Sequence, residues 1–275
     1  MASRNGLSPK IRGPKGVGFG RALPAPFGFG NGVILDGSND YFDIPLLVGG
    51  SLPAAGTFEF WTELAFGGEL AAALSFEFTT TDPTTGTNQI EFIFDGQGGG
   101  NIRYYRADTG VGTIALGIPT GKVHLVLTYD MPNNVMIFYI NGGAAVGGQT
   151  ANRTPTGLNV LDPTGLFLSH VKIGVFDIGG VFANTPMDEI RVYNTILRPD
   201  EVALNYNAGI GANPCVTEYL TQWYQFELFE VLDFSAAQDG SDMRLGIRDM
   251  SGKFNHAQPH NMITTPGTGY VLQPF

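Results

Sequence analysis

The sequence predicts an all-β fold: a sandwich of two antiparallel sheets with one short helix and extended segments at both ends. Three observations predict it. Short apolar runs with period-two alternation recur from residue 31 to about residue 210. Turn formers separate these runs, in a 275-residue chain with 39 Gly and 17 Pro, and 20 Phe supply aromatic strand residues. Only one stretch carries the signals that start and stop a helix. With 43% apolar and 15% charged residues, the chain has enough material for a sizeable core.

The elements follow in order. "GVILDGSNDYFDIP" (32–45) places Val33-Ile34-Leu35 and Tyr41-Phe42-Ile44 on either side of a turn of Asp, Gly, Ser and Asn, and reads as a β-hairpin stopped by Pro45. "TFEFWTEL" (57–64) puts Phe58, Phe60, Thr62 and Leu64 on one face and Glu59, Trp61 and Glu63 on the other. "ALSFEFTTT" (73–81), "NQIEFIFDG" (88–96), "NIRYYRA" (101–107) and "KVHLVLTYD" (122–130) continue the pattern. "NNVMIFYINGG" (133–143) ends in Asn141-Gly142, a strong turn signal. "LFLSHVKIGVFD" (166–177) and "MDEIRVYN" (187–194) complete the set, and the alternation implies one solvated face per sheet.

The helix is "RPDEVALNYNAG" (198–209). Pro199 suits a first helical position, Asp200 and Glu201 oppose the positive helix end, and Gly209 is placed to end it. Val202, Ala203 and Tyr206 fall on one face.

Three segments result: an arm (1–30), a β-rich body (31–210) and a tail (211–275) opened by the linker-like "GIGANPC". The net charge of −10 is uneven. Residues 1–30 hold Arg4, Lys10, Arg12, Lys15 and Arg21 with no acid, leaving ten basic against 25 acidic residues elsewhere, a net −15. An acidic body disfavours nucleic acid, and the arm is expected to lie on an acidic neighbouring surface. No run of 18 apolar residues suggests a membrane span. The opening residues have no apolar stretch behind their charges, and Cys215 stands alone, so folding in a reducing cytoplasm is expected.

Three stretches together resemble laminin G-like domains of the concanavalin A-like lectin/glucanase superfamily. "GVILDGSNDYFDIP" with "GTFEFWTEL" is similar to the opening, "KVHLVLTYDMPNNVMIFYINGG" to the central hairpin, and "MDEIRVYNTILRPDEVALNYNAG" to the closing strand and helix. The resemblance implies a jelly-roll sandwich over residues 32–210. "LTQWYQFELFE" (220–230) and "IRDMSGKFNHAQPHN" (247–261) look like the strand and turn that usually precede the opening hairpin, yet here they follow the closing helix. Either the domain is circularly rearranged or a second copy begins. A jelly roll lacking an outer strand exposes an edge, and residues 220–232 are expected to fill one, in their own subunit or a neighbour's.

The resemblance also implies calcium near the first turn. Asp36, Asn39 and Asp40 supply oxygen ligands, and Asp188 is the matching acid on the closing strand; the competing reading is that the acids accept hydrogen bonds from turn amides. The superfamily's glycanases carry Glu-x-Asp-x-x-Glu, absent here. Glu59 and Glu63 on one strand face are roughly 13 Å apart, too far for a retaining pair, and Glu91 and Asp95 share the problem. His256 and His260 read as turn residues and His124 as a packed one, and "GQGGGN" (96–101) as a hairpin loop. Tyr104 and Tyr105 point to opposite faces and are the glycan-contact candidates; Trp61 is expected within the sandwich.

Two functions from different classes are expected from this. The first is a non-enzymatic virion structural protein, made in the host cytoplasm: a capsid decoration, spike-base or tail-associated module. Residues 1–30 and 211–275 would bind other virion proteins or neighbouring subunits in a homo-oligomer. The alternative is a carbohydrate-binding or adhesion module at a cell surface, and the two meet if a virion protein holds host glycans. Glycoside hydrolase is disfavoured.

Overall fold

A computed structural model describes residues 31–35, 39–44, 53, 55–64, 70–80, 88–95, 101–106, 110–115, 119, 121–130, 133, 135–144, 166–176, 181–182, 186–227, 229–260, 262 and 273–274. The arm, Asp36 and the loop at 96–100 lie outside them. In chain order the strands are β1 (Asn31–Ile34), β2 (Tyr41–Asp43), β3 (Ala55–Leu64), β4 (Leu70–Thr80), β5 (Asn88–Asp95), β6 (Asn101–Arg106), β7 (Gly110–Ala115), β8 (Gly121–Asp130), β9 (Val135–Ile140) and β10 (Gly143–Ala144). Then come β11 (Leu166–Ile173), β12 (Val175–Phe176), β13 (Val181–Phe182), β14 (Pro186–Tyr193), helix α1 (Pro199–Tyr206), β15 (Leu220–Tyr224), β16 (Phe229–Asp233), β17 (Met243–Ile247), β18 (Gln258–His260) and β19 (Gln273–Pro274).

Two large antiparallel sheets form the sandwich. The first runs β10-β9-β8-β3-β14-β1-β19 with β15 also on β14; the second runs β18-β2-β11-β4-β5-β6-β7. No helix among the described residues is long and apolar enough to cross a membrane.

The predicted opening hairpin is corrected here. β1 pairs with β14 in the first sheet, whereas β2 pairs with β11 and β18 in the second. The chain around residues 35–40 therefore crosses from one sheet to the other. Val33, Leu35, Phe42 and Ile44 are all buried, so both apolar runs face the same core from opposite walls. A hairpin and a sheet-to-sheet crossing share one local pattern, two apolar runs around turn residues, so the sequence alone does not separate them.

The expectation of one solvated face per sheet fails for the centre of the first sheet. Phe58, Phe60, Leu125 and Leu127 line the inner face. On the outer face Thr57, Glu59, Trp61, His124, Val126, Arg191 and Tyr193 are buried as completely. Helix α1 and the chain following it cover them. Trp61 thus packs beneath the helix, its ring 5.7 Å from that of Tyr206, rather than between the sheets. Val126, Tyr139, Tyr193, Leu197, Val202, Leu220 and Trp223 form a second apolar cluster in this layer.

The helix is shorter than its sequence signals. Glu201 accepts a hydrogen bond from the Arg198 amide (2.8 Å), half of a capping box. Asn207, in the left-handed region at φ 47°, ends the α-helix two residues before Gly209. Val202 and Asn205 are its buried residues, and Ala203 is exposed. The Asn141-Gly142 turn is shaped to receive it. A Cβ at Gly142 (φ 72°) would lie 2.6 Å from the Tyr206 ring, so only glycine lets the helix end seat there.

The tail enters both sheets of its own chain. β15 pairs with β14 (Ile190 opposite Tyr224, Arg191 opposite Trp223), and β18 pairs with β2 (Pro259 opposite Phe42). The free edge of β15 is closed by a side-chain turn. Asp249 Oδ1 accepts from the Trp223 amide (3.0 Å), the Met250 amide donates to the Trp223 carbonyl (2.8 Å), and Ser251 and Asn255 side chains donate to the Thr221 carbonyl. His256 Nδ1 accepts from the Asp249 amide (3.1 Å), and burial lowers its pKa, which keeps the ring neutral and able to accept. His260 belongs to strand β18 rather than to a turn.

Deleting residues 217–275 strips β15 from β14 and β18 from β2, and removes Leu220 and Trp223 from the layer under the helix. The expected outcome is loss of the cooperative thermal transition in circular dichroism.

Candidate functional site

Two polar arrangements stand out, one sealed and one open. The sealed one centres on Glu59, mid-strand in β3. Its Oε1 accepts from His124 Nε2 (2.9 Å) and Arg191 Nη1 (2.9 Å), and its Oε2 from Asn205 Nδ2 (2.8 Å) and the Tyr193 hydroxyl (3.1 Å). Strand register brings these groups together: Arg191 lies opposite Glu59, and His124 one pair along opposite Trp61. Helix α1 delivers Asn205, whose Oδ1 accepts from the Cys215 amide (2.9 Å). Arg191 Nη2 continues outward to Glu189 Oε2 (2.8 Å) and to the Ala212 carbonyl (2.5 Å), and Glu189 also accepts from Trp223 Nε1 (2.6 Å).

Burial alone would raise the pKa of Glu59. The Arg191 charge, with His124 and Asn205, outweighs it and holds the carboxyl down to about 2. Glu59 is therefore ionised, saturated with donors and shut away from solvent. It has no proton to give a leaving group and no room for substrate. Glu189 is likewise buried and bound, so these two acids do not make a hydrolytic pair.

Glu189 sits at a bulge. Between Asp188, opposite Trp61, and Arg191, opposite Glu59, β14 has one residue more than β3, and Glu189 takes φ 51°. Its neighbour Asp188 is buried. Asp188 Oδ1 accepts from the Glu189 amide (2.7 Å), while Oδ2 has no hydrogen-bond partner. Burial, reinforced by the Glu189 charge, pushes the Asp188 carboxyl well above its ordinary range.

The open arrangement is on the second sheet. Successive pairings line up Gln258, Asp43, Lys172, Ser75, Glu91, Tyr105 and Val111 in one row across β18, β2, β11, β4, β5, β6 and β7. The neighbouring row is Pro259, Phe42, Ile173, Leu74, Phe92, Tyr104 and Gly112, and its Phe42 and Ile173 are wholly buried in the core. Because side chains alternate, Gln258, Asp43 and Lys172 lie on the outer face, and the backbone register carries their row on to β7. At its described end the Tyr41 and His260 rings stack at 4.7 Å and 3°. Lys172 Nζ lies 5.5 Å from the Tyr41 centroid, and Arg244 Nη1 donates to Gln258 Oε1 (2.7 Å). Asp43 and His260 are half-buried, 3.7 Å apart, and burial keeps the His260 pKa low.

The residues singled out by sequence distribute as follows. In backbone register Tyr104 is level with Phe42 and Tyr105 with Asp43; their side chains lie outside the described ones. Asn39 is exposed and Asp40 half-buried near the crossing. Asp188 is level with Gly32 rather than with residues 36–40, since Met187 lies opposite Val33. Among the described residues, no three His, Cys, Asp or Glu side chains converge as metal ligands do. Sequence reasoning missed the Glu59 cluster. Its signal was a set of charged or polar residues (Glu59, His124, Arg191) in the middle of otherwise apolar strands.

The two sheets and their helix-covered face define a lectin-like sandwich. Residues 36–203 match the model of the concanavalin A-like lectin/glucanases superfamily, and the chain belongs to that superfamily. Among curated proteins none matches the sequence. A Bacteroides ovatus protein provisionally assigned to carbohydrate binding superposes with a TM-score of 0.54 at 16% identity, over 86% of this chain and 59% of its own. The chain thus spans under two thirds of that relative. Ruminococcus gnavus IT-sialidase CBM40 gives a TM-score of 0.43 at 17% identity over 63% of this chain and 95% of its own. The SAP-like pentraxin of Limulus polyphemus gives 0.38 at 14% identity over 65% and 78%. At such identities the likeness is one of fold.

Replacing Arg191 by Met leaves Glu59 and Glu189 buried without their cation. The expected loss is about 3–5 kcal/mol in denaturant unfolding. Asp188→Asn has the opposite sign and a pH dependence. The raised native pKa means the wild-type carboxyl is tolerated below its unfolded value and costs stability as pH rises toward its folded one. Melting temperatures from pH 4 to 8 are expected to show the variant's advantage growing with pH.

Proposed function

We propose that this protein is a non-catalytic carbohydrate-binding domain whose binding surface is the outer face of the second sheet. The observation that carries the reading is the polar register row. An amide, a carboxylate and an ammonium (Gln258, Asp43, Lys172) occupy consecutive strands on one face, and the register continues their row through Ser75, Glu91 and Tyr105, residue types suited to a polyhydroxylated ligand. Tyr105 belongs to that row and Tyr104 does not. The superfamily fold supports the reading, as does the Bacteroides ovatus relative, assigned provisionally to carbohydrate binding. The expectation of a virion structural component finds no support in the family match or the structural relatives, so carbohydrate binding is the better supported of the two. The absence of catalysis rests on the two buried carboxylates tied to Arg191.

Glycan-array screening followed by calorimetry tests this. Lys172→Ala removes the one cation of the row from a half-buried position, and is expected to weaken binding about tenfold with little change in melting temperature. No release of reducing sugar is expected from any bound glycan. An array without hits, or hits indifferent to both Lys172→Ala and Tyr105→Ala, would overturn the assignment.

A further inference from the structure

The two-stranded ribbon of β16 and β17 belongs to neither large sheet. It is anchored in two ways: Leu232 and Phe234 are buried on one face, and on the other the end residue Phe229 stacks on Phe42 at 6.2 Å. Its register sets Val231 opposite Leu245 and Asp233 opposite Met243, so these four share a face. On that face Val231 is 64% and Met243 52% exposed, high values for apolar residues in paired strands. β16 has β17 on one side only, and no strand pairs with its other edge among the described residues.

Charge and chain path identify what fits there. From Phe229 to Leu245 the ribbon has four acids (Glu230, Asp233, Asp239, Asp242) against one base, Arg244. Arg244 is taken by Asp242 (2.6 Å), and Glu230 pairs with Arg248. Asp233 and Asp239 accept only from Ser235, Gly240 and Ser241 and meet no cation among the described residues. Residues 1–30 hold five cations and no acid, with Leu23, Phe27 and Phe29 near their end.

The arm also begins beside the ribbon. Val33 lies opposite Met187 on β14, which places Asn31 level with about residue 189, and on the same side of β14 Tyr224 lies opposite Ile190. The start of β1 and the end of β15 therefore abut, and the chain leaving β15 reaches β16 within five residues. Thirty residues can extend roughly 100 Å, and a five-residue strand needs only about 17 Å.

We propose that residues 1–30 dock on the exposed face of their own chain's β16–β17 ribbon. Their apolar residues cover Val231 and Met243, and their cations lie beside Asp233 and Asp239. The arm then protects a strand edge that no other described strand pairs with.

Timed trypsin digestion of the full chain, read by mass spectrometry, tests this. In low salt, cleavage after Arg12, Lys15 and Arg21 is expected to be about tenfold slower in the wild type than in the V231K/M243K double variant. Molar salt is expected to remove the protection from the wild type. Both substituted side chains are exposed, and an unchanged melting temperature confirms that the variant folds. Equal cleavage rates in the wild type and the folded variant would overturn the proposal. Protection that grows with protein concentration would overturn it too, since a second copy would then be supplying the cover.

Discussion

The carboxylate of Glu59 is the point on which the rest of the structure depends. Three elements besides its own converge on it: β8 through His124, β14 through Arg191 and Tyr193, and α1 through Asn205. An isolated ion at this depth would be expelled or neutralised. Four donors, one of them a guanidinium, make its ionised form the stable one. The reach of the cluster matters as much as its strength. Arg191 ties the Ala212 carbonyl and Asn205 ties the Cys215 amide, so the chain after the helix is fixed to the same sheet. A hydrophobic cover could slide over an apolar sheet. A polar one has a single register, and the Glu59 cluster sets it.

That cover leads directly into the tail. Edge protection is a problem for any sandwich, and β14 solves it unusually, because two segments far apart in sequence share one of its sides: β1 against residues 186–187 and β15 against 190–193. The second segment is then sealed by the Asp249 turn, in which one carboxylate accepts from Trp223, Ser251 and Asn255. Strand and turn resemble the pair that opens related domains, but they arrive here from the far end of the chain. The superfamily match stops at residue 203, although the pairing continues to residue 274. Physically, the domain is larger than its family signature.

Much of this was legible in advance, and the illegible parts share a cause. Alternation located β3, β8, β9 and β14, and Pro199 with Asp200 and Glu201 marked the helix, because these are local patterns. The crossing at residues 35–40 read as a hairpin because nothing local records which sheet the next strand joins. The outer face of β3 was read as solvated because Glu59 and Glu63 are charged. Yet only Glu63 is exposed, since the helix that covers Glu59 lies about 140 residues away in sequence. Polar residues in mid-strand were the one available clue, and they become meaningful only when Glu59, Arg191 and Asn205 are known to be neighbours. Tyr104 and Tyr105 show the converse. Their opposite facing was fixed by alternation, but that Tyr104 is level with Phe42 and Tyr105 with Asp43 is a long-range register that no local pattern records.

The two sheets thus divide their work. In the first, the Glu59 carboxylate and the groups that donate to it are bonded to one another beneath the helix, which suits a surface that must hold that helix. In the second, the row from Gln258 to Tyr105 carries charges of both signs on adjacent strands, and no helix lies over its described end. A polar sheet face left uncovered is cheap to solvate and costs nothing in core packing, because the alternate row already supplies the apolar contacts. If that row is the binding surface proposed above, substitutions along it would alter recognition without disturbing the fold, whereas a change at Glu59 disturbs the fold and alters no exposed chemistry. Separating the two on opposite outer faces is what lets one sandwich be both rigid and adaptable.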